Sequence, residues 1–259
     1  MEILVGNCRE FETSTTHFNH PSFDAGVILA NPWHKSVINK PLKKALALVH
    51  GFGGTYENVT KAYEEMEKQI ISMGGLGYDA IMRFYWPGSW SKTIGFLLAR
   101  RRVNEAARRL QIYLSQLVSN YGVEEITVQA HSLGCDISQK VLNRTRFSPL
   151  VYKEKYKYVF CAPALTNSYY ENGVADLRQT NPMITLPVFP ELKIAYSKND
   201  PVLKYAFRLA PGNWGSSAIG YSPSTANLTT VGNFFDMSAS VKTHTGYRKI
   251  KEYYELMRA

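Results

Sequence analysis

The sequence predicts an α/β protein with a mostly parallel central sheet and helices on both faces. Two observations carry that expectation. Short aliphatic runs alternate with longer segments whose apolar residues step by three and four, so strands alternate with amphipathic helices. Several of the runs also end abruptly at glycine, proline or serine turns. Strand–helix–strand connections of this kind are right-handed and give parallel pairing. Ligands of such sheets bind beyond the carboxyl ends of the strands.

The elements follow in order. Residues 1 to about 44 are rich in Thr, Asn, His and aromatics, with short apolar runs such as Val27–Ala30; one or more antiparallel strands are expected there. Leu42–Val49 reads as a buried central strand that runs into His50-Gly51-Phe52-Gly53-Gly54. Val59, Tyr63, Met66, Ile70 and Met73 mark an amphipathic helix, ended by Gly74-Gly75. Asp79–Trp86 is a strand stopped by Pro87-Gly88. Phe96–Tyr121 carries the longest helical pattern and Gly122 closes it. Ile126–Ala130 is a short strand, followed by His131-Ser132-Leu133-Gly134 and a helix marked by Leu133, Ile137 and Val141. Further strands are expected at Lys155–Ala162 and Leu192–Ser197, and a last helix from Gly246. One domain of 259 residues is expected, with extra N-terminal strands in 1–41 and lid or cap excursions at 165–190 and 205–235.

Composition narrows the function classes. The chain is 45% hydrophobic and 13% aromatic, enough for a large core. Its net charge is +9, with Arg100, Arg101, Arg102, Arg108 and Arg109 clustered on one helix. The usual meaning of such a cluster is a solvated face; an anionic membrane surface is the partner it admits. Nucleic acid is not expected, because no binding module or aromatic platform accompanies the charge. Cys8, Cys135 and Cys161 are odd in number and far apart, which suggests free thiols in a reducing compartment. His17, His20 and His34 lack the spacing of a metal site and read as loop histidines. No secretory leader and no apolar run near the roughly 20 residues of a membrane span is seen, so a cytoplasmic location is expected.

The chemistry centres on Ser132. A strand, a tight turn of small residues, a serine and a helix make a nucleophile elbow, in which Ala130 and Gly134 leave room for the turn. As a bare motif, Ser132 could equally be a helix N-cap. A serine nucleophile needs a base, and the base needs an acid. In elbow enzymes they follow in the order Ser, acid, His. Of six histidines only His244 lies after Ser132, in a loop before the last helix. The best-placed acid is Asp200, at the tip of the turn after Leu192–Ser197; Asp176 and Asp236 are alternatives. The backbone N–H groups of Leu133 and Phe52 are the expected oxyanion donors. The loop at 50–54 lacks the pattern of a P-loop or a dinucleotide fingerprint.

A resemblance adds to this reading. HGFGG at 50–54, FYWPGSW at 84–90, AHSLG at 130–134, CAPAL at 161–165, YSKNDPVL at 196–203 and THTGY at 243–247 stand in the order found in α/β-hydrolases. Over Leu42–Leu256 the chain resembles that superfamily, of the lipase and serine-esterase kind. The likeness implies an α/β-hydrolase fold. It also implies hydrolysis of a small-molecule or lipid ester, a thioester or an amide, with no metal or organic cofactor. Ala130 departs from the glycine most common there and is the next smallest residue. A hydrolase scaffold kept for binding alone is the competing reading. Phe84, Tyr85, Trp86, Trp90, Tyr169, Tyr170, Trp214, Phe234 and Phe235 could line an acyl pocket or a lid, although core packing explains many aromatics.

Overall fold

The middle of the sheet is built from the most aliphatic runs. In the computed structural model, which describes residues 1–8, 42–88, 93–147, 156–167, 191–209, 216–223 and 233–258, seven strands form one sheet. They are β1 (Glu2–Asn7), β2 (Lys44–Val49), β3 (Ala80–Tyr85), β4 (Glu125–His131), β5 (Tyr156–Cys161), β6 (Leu192–Tyr196) and β7 (Asn233–Asp236). Their order is β1-β3-β2-β4-β5-β6-β7, and every pair is parallel. Parallel strands bury both faces, which is why β2, KALALV, is apolar almost throughout and fully buried from Ala45 onward.

Alternation along β2 sorts the core into two halves. Ala45, Ala47 and Val49 face helices α2 (Thr93–Tyr121) and α3 (Gly134–Phe147), where Val103, Leu110, Leu117, Ile137 and Val141 pack. Leu46 and Leu48 face the opposite side, with Val59, Tyr63 and Ile70 of α1 (Tyr56–Ser72) and Tyr253 of α4 (Lys251–Leu256). Thr55 caps α1 by accepting from the Asn58 N–H at 3.2 Å. The end of α2 is closed by Gly122 at φ 69°, with Val123 N–H returning to Leu117 O; a left-handed residue at that place suits glycine.

Three sequence expectations change. The N-terminal strand is not antiparallel: β1 pairs parallel with β3, from Glu2 opposite Ala80 to Asn7 opposite Tyr85. The last helix is broken, a 3₁₀ turn at Gly246–Lys249 preceding α4. The stretch 205–240 contains an edge strand, β7, so Phe234 and Phe235 are strand residues. Val27–Ala30, His17, His20, His34, Trp90, Tyr169, Tyr170, Asp176 and Trp214 lie outside the described residues, as do 168–190, 210–215 and 224–232 of the two expected excursions. Among the described residues no helix is long and apolar enough to cross a membrane.

Candidate active site

Four chain segments converge at the carboxyl ends of β2, β4, β6 and β7. Ser132 follows β4 directly and has φ 55°, a left-handed conformation that costs a non-glycine residue about 1–2 kcal/mol. The turn is held on both sides. Ser132 N–H donates to Cys161 O at 3.0 Å, and Ser132 O accepts from Cys135 N–H at 3.1 Å and Ala164 N–H at 3.2 Å. A Cβ at Gly134 would meet His50 O at 2.6 Å and Val49 O at 2.7 Å, so the position two after the serine must be small. Such strain at a strand–helix turn aims a side chain outward while the first amides of α3 face the same place.

The glycine-rich loop lies against this turn. A Cβ on Gly51 would stand 2.8 Å from Ser132 Cβ. His50 locks the loop to β3: Trp86 N–H donates to His50 Nε2 at 3.2 Å, Trp86 Nε1–H donates to His50 O at 2.9 Å, and the rings stack. Nε2 is thus an acceptor, and the Nδ1 proton goes to Gly51 O at 2.8 Å. Gly53 N–H donates to Gly88 O, which anchors the far side of the loop. The Phe52 ring meets Phe96 edge-on at 5.5 Å. The N–H groups of Phe52 and Leu133 make no hydrogen bond among the described residues.

His244 and Asp200 are brought together. His244 Nδ1 and Asp200 Oδ2 are 2.6 Å apart, and Asp200 is completely buried. The other carboxylate oxygen, Oδ1, accepts from Val202 N–H and Leu203 N–H, each at 3.0 Å. The loop carrying His244 is stitched to the loop carrying Asp200. Ser197 Oγ donates to Val241 O at 2.7 Å, Asn199 Nδ2 to Ser238 O at 2.7 Å, and Lys198 N–H to Ser238 Oγ at 2.9 Å. Asp236 is engaged elsewhere, with Ser238 and with Lys198 at 3.4 Å. Ser132 Oγ and His244 are not hydrogen-bonded to one another in this arrangement.

His131 is the residue that sequence reasoning left without a role. Its Nε2 lies 2.9 Å from His244 O, and the two imidazoles are 4.7 Å apart. The carbonyl can only accept, so His131 donates from Nε2. Burial, and then the neighbouring His244, push its pKa down to about 3, so the ring is neutral at physiological pH. No local signal marks His131 or Ser197, because each bonds a carbonyl far along the chain: His131 that of His244, and Ser197 that of Val241.

The basic helix is partly neutralised. Glu105 takes both Arg108, at 3.0 Å, and Arg109, at 2.7 Å, and Arg109 is buried. Among the described residues no group of three His, Cys, Asp or Glu side chains is placed to hold a metal ion.

Residues 30–229 match the family described as "Alpha/beta hydrolase of unknown function (DUF900)". The chain belongs to that family. The matched span includes Ser132 and Asp200; His244 lies beyond it. Among solved structures, the product of the gene lin2722 from Listeria innocua is 12% identical with a TM-score of 0.49, covering 83% of this chain and 92% of its own. A lipase-esterase related protein from Clostridium acetobutylicum is 12% identical with a TM-score of 0.43, covering 84% and 92%. Naproxen esterase (carboxylesterase NP) from Bacillus subtilis is 13% identical with a TM-score of 0.38, covering 83% and 82%. No curated protein matches the chain.

Proposed function

We propose that the protein is a serine hydrolase that cleaves carboxylic esters through an acyl-enzyme on Ser132. The observation that carries the proposal is the contact between His244 Nδ1 and the buried Asp200 carboxylate, 2.6 Å, beside the strained turn at Ser132. A buried carboxylate held by two amides and one imidazole has the form needed to fix a catalytic histidine. It sets the proton on Nδ1, leaves Nε2 free to accept, and stabilises the imidazolium that forms.

In the reaction, Ser132 Oγ attacks the ester carbonyl carbon while His244 Nε2 takes the hydroxyl proton. The carbonyl oxygen becomes an oxyanion facing the Phe52 and Leu133 N–H groups. Collapse breaks the bond to the alcohol oxygen, and His244 returns its proton to that oxygen. Water then attacks the acyl-enzyme by the same steps, releasing the acid and restoring Ser132. The contact between His244 and Ser132 closes when substrate binds, as catalytic hydrogen bonds often do. His131 is a positioning residue: it holds the loop of His244 through a backbone carbonyl and brings no charge of its own.

Hydrolysis of p-nitrophenyl butyrate by wild type and Ser132→Ala tests the proposal. Loss of the nucleophile lowers kcat by roughly 10⁶-fold in the worked protease case, so the variant should fall to background. Equal rates in the two proteins would refute it.

A further inference from the structure

Three turns of the chain meet beside the backbone of Ser132. The first follows β5. Ala162 there has φ 46°, left-handed like Ser132, and is fully buried. Its neighbours grip the nucleophile: Cys161 O accepts from Ser132 N–H at 3.0 Å, and Ala164 N–H donates to Ser132 O at 3.2 Å. The second turn carries Asp200. Asp200 N–H donates to Ser197 O at 3.2 Å, and Leu203 N–H donates to the Asp200 carboxylate at 3.0 Å. The third is the segment 217–222. It lies antiparallel to the chain that follows Ala162, with Thr166 opposite Ala218 and Ile219 N–H donating to Leu165 O at 2.9 Å.

Gly220 stands where the three turns touch, and it is buried. Its N–H donates to Pro163 O at 3.1 Å, and its carbonyl accepts from Ser197 N–H at 3.0 Å. It thus bonds to the support of the nucleophile on one side and to the support of the acid on the other. Its φ is not left-handed, so backbone conformation admits a side chain. Space does not. A Cβ would stand 2.4 Å from Ala162 C, 2.5 Å from Pro163 N and 2.6 Å from Leu203 Cδ1. The first two atoms are backbone of the turn that grips Ser132. The third belongs to the residue whose N–H holds the Asp200 carboxylate.

We propose that Gly220 is a positioning residue: it fixes the spacing between the nucleophile turn and the turn that holds Asp200 and, through it, His244. This rests on the serine-hydrolase reading of Ser132. Ordinary carbon contacts are about 3.5–4.0 Å, so a methyl at 220 must drive the two turns apart by about 1 Å or more. The nucleophile turn is packed against Gly51 and keeps its place beside the oxyanion donors. His244 and Asp200, 2.6 Å apart and stitched loop to loop, move as a unit. What is lost is the approach of His244 Nε2 to Ser132 Oγ that proton transfer needs. A misplacement of about 1 Å costs on the order of 10²-fold in rate.

The test is a double-mutant cycle on the rate of fluorophosphonate labelling, with kcat and KM measured on p-nitrophenyl butyrate. Gly220→Ala should lower kcat and the labelling rate about 100-fold and leave KM within about threefold. It should still label to one adduct per chain, which shows that every molecule is folded. In a His244→Ala background the same substitution should slow labelling less than about threefold, because the distance it spoils no longer matters. Equal losses in the two backgrounds overturn the inference and leave the serine mechanism intact. So does a folded Gly220→Ala protein within threefold of wild-type kcat. Should Gly220→Ala not fold, Gly220→Ala combined with Leu203→Val, which conserves volume, takes its place in the cycle, and the same outcomes decide. Wild type that neither hydrolyses nor labels overturns the serine mechanism and the inference with it.

Discussion

Replacing Gly51 with alanine should disable the site without unfolding the protein. Gly51 is not in the left-handed region, so backbone conformation does not exclude a side chain there; space does. The new methyl would stand 2.8 Å from Ser132 Cβ, 3.0 Å from His131 O and 3.3 Å from His131 Nδ1. Ordinary carbon contacts are about 3.5–4.0 Å, so the loop and the serine must separate by about 0.7–1.2 Å. Misplacing a reacting group by about 1 Å costs on the order of 10²-fold in rate. Overpacking of this kind costs about 1–3 kcal/mol in stability. The assay is kcat at saturating p-nitrophenyl butyrate, with thermal unfolding followed in parallel. Gly122→Ala is the control: it forces alanine to φ 69° with nothing within 4 Å, far from the site. That variant should lose about 1–2 kcal/mol of stability and keep its kcat. A folded Gly51→Ala enzyme within threefold of wild-type kcat would refute the steric reasoning.

Other outcomes follow from the same geometry. Asp200→Asn should lower kcat by about 10⁴-fold, because the amide stabilises neither the correct tautomer nor the imidazolium; a loss under tenfold contradicts the role given to the acid. His131→Phe removes the donor to His244 O and should reduce kcat about 10- to 100-fold with little change in KM. His131→Gln offers an N–H in a similar place and should recover most of that loss; equal loss in both variants would assign His131 a packing role only. His131 also makes stability depend on pH. Its pKa falls from 6.5 to about 3 on folding, so the unfolded chain binds the proton first as pH drops. Stability is full above pH 6.5 and declines as pH falls below it. Urea unfolding at pH 7 and pH 5 should show wild type losing about 2 kcal/mol more than His131→Phe over that interval. Parallel losses would mean that the ring is not held neutral.

Much of this was legible in the chain because it is local. β2, β4 and α2 carry regular apolar patterns, and the apolar residues that step along α2 from Ala99 through Leu117 are buried. The turn around Ser132 is written in small residues whose spacing has a steric reason: Gly134 has two carbonyls within 3 Å of where its Cβ would be. The order of Ser132, Asp200 and His244 named a pair that the fold brings to 2.6 Å. What escaped is what depends on distant partners. The direction of β1 is set by β3, more than seventy residues away, and nothing in EILVGN distinguishes a parallel from an antiparallel edge. β7 is four residues, NFFD, with only two apolar side chains, too short for any period to show. His50 and His131 read as motif letters; their hydrogen bonds to Trp86 and to the His244 carbonyl exist only once the sheet is assembled.

The proposed chemistry depends first on the nucleophile. The most direct measurement is to treat the protein with a fluorophosphonate, digest it, and locate the adduct by mass spectrometry. The predicted result is a single phosphonylated peptide with the modification on Ser132, lost on heat denaturation and greatly slowed in His244→Ala. A native protein that takes up no label at Ser132, or labels equally fast without His244, contradicts the account.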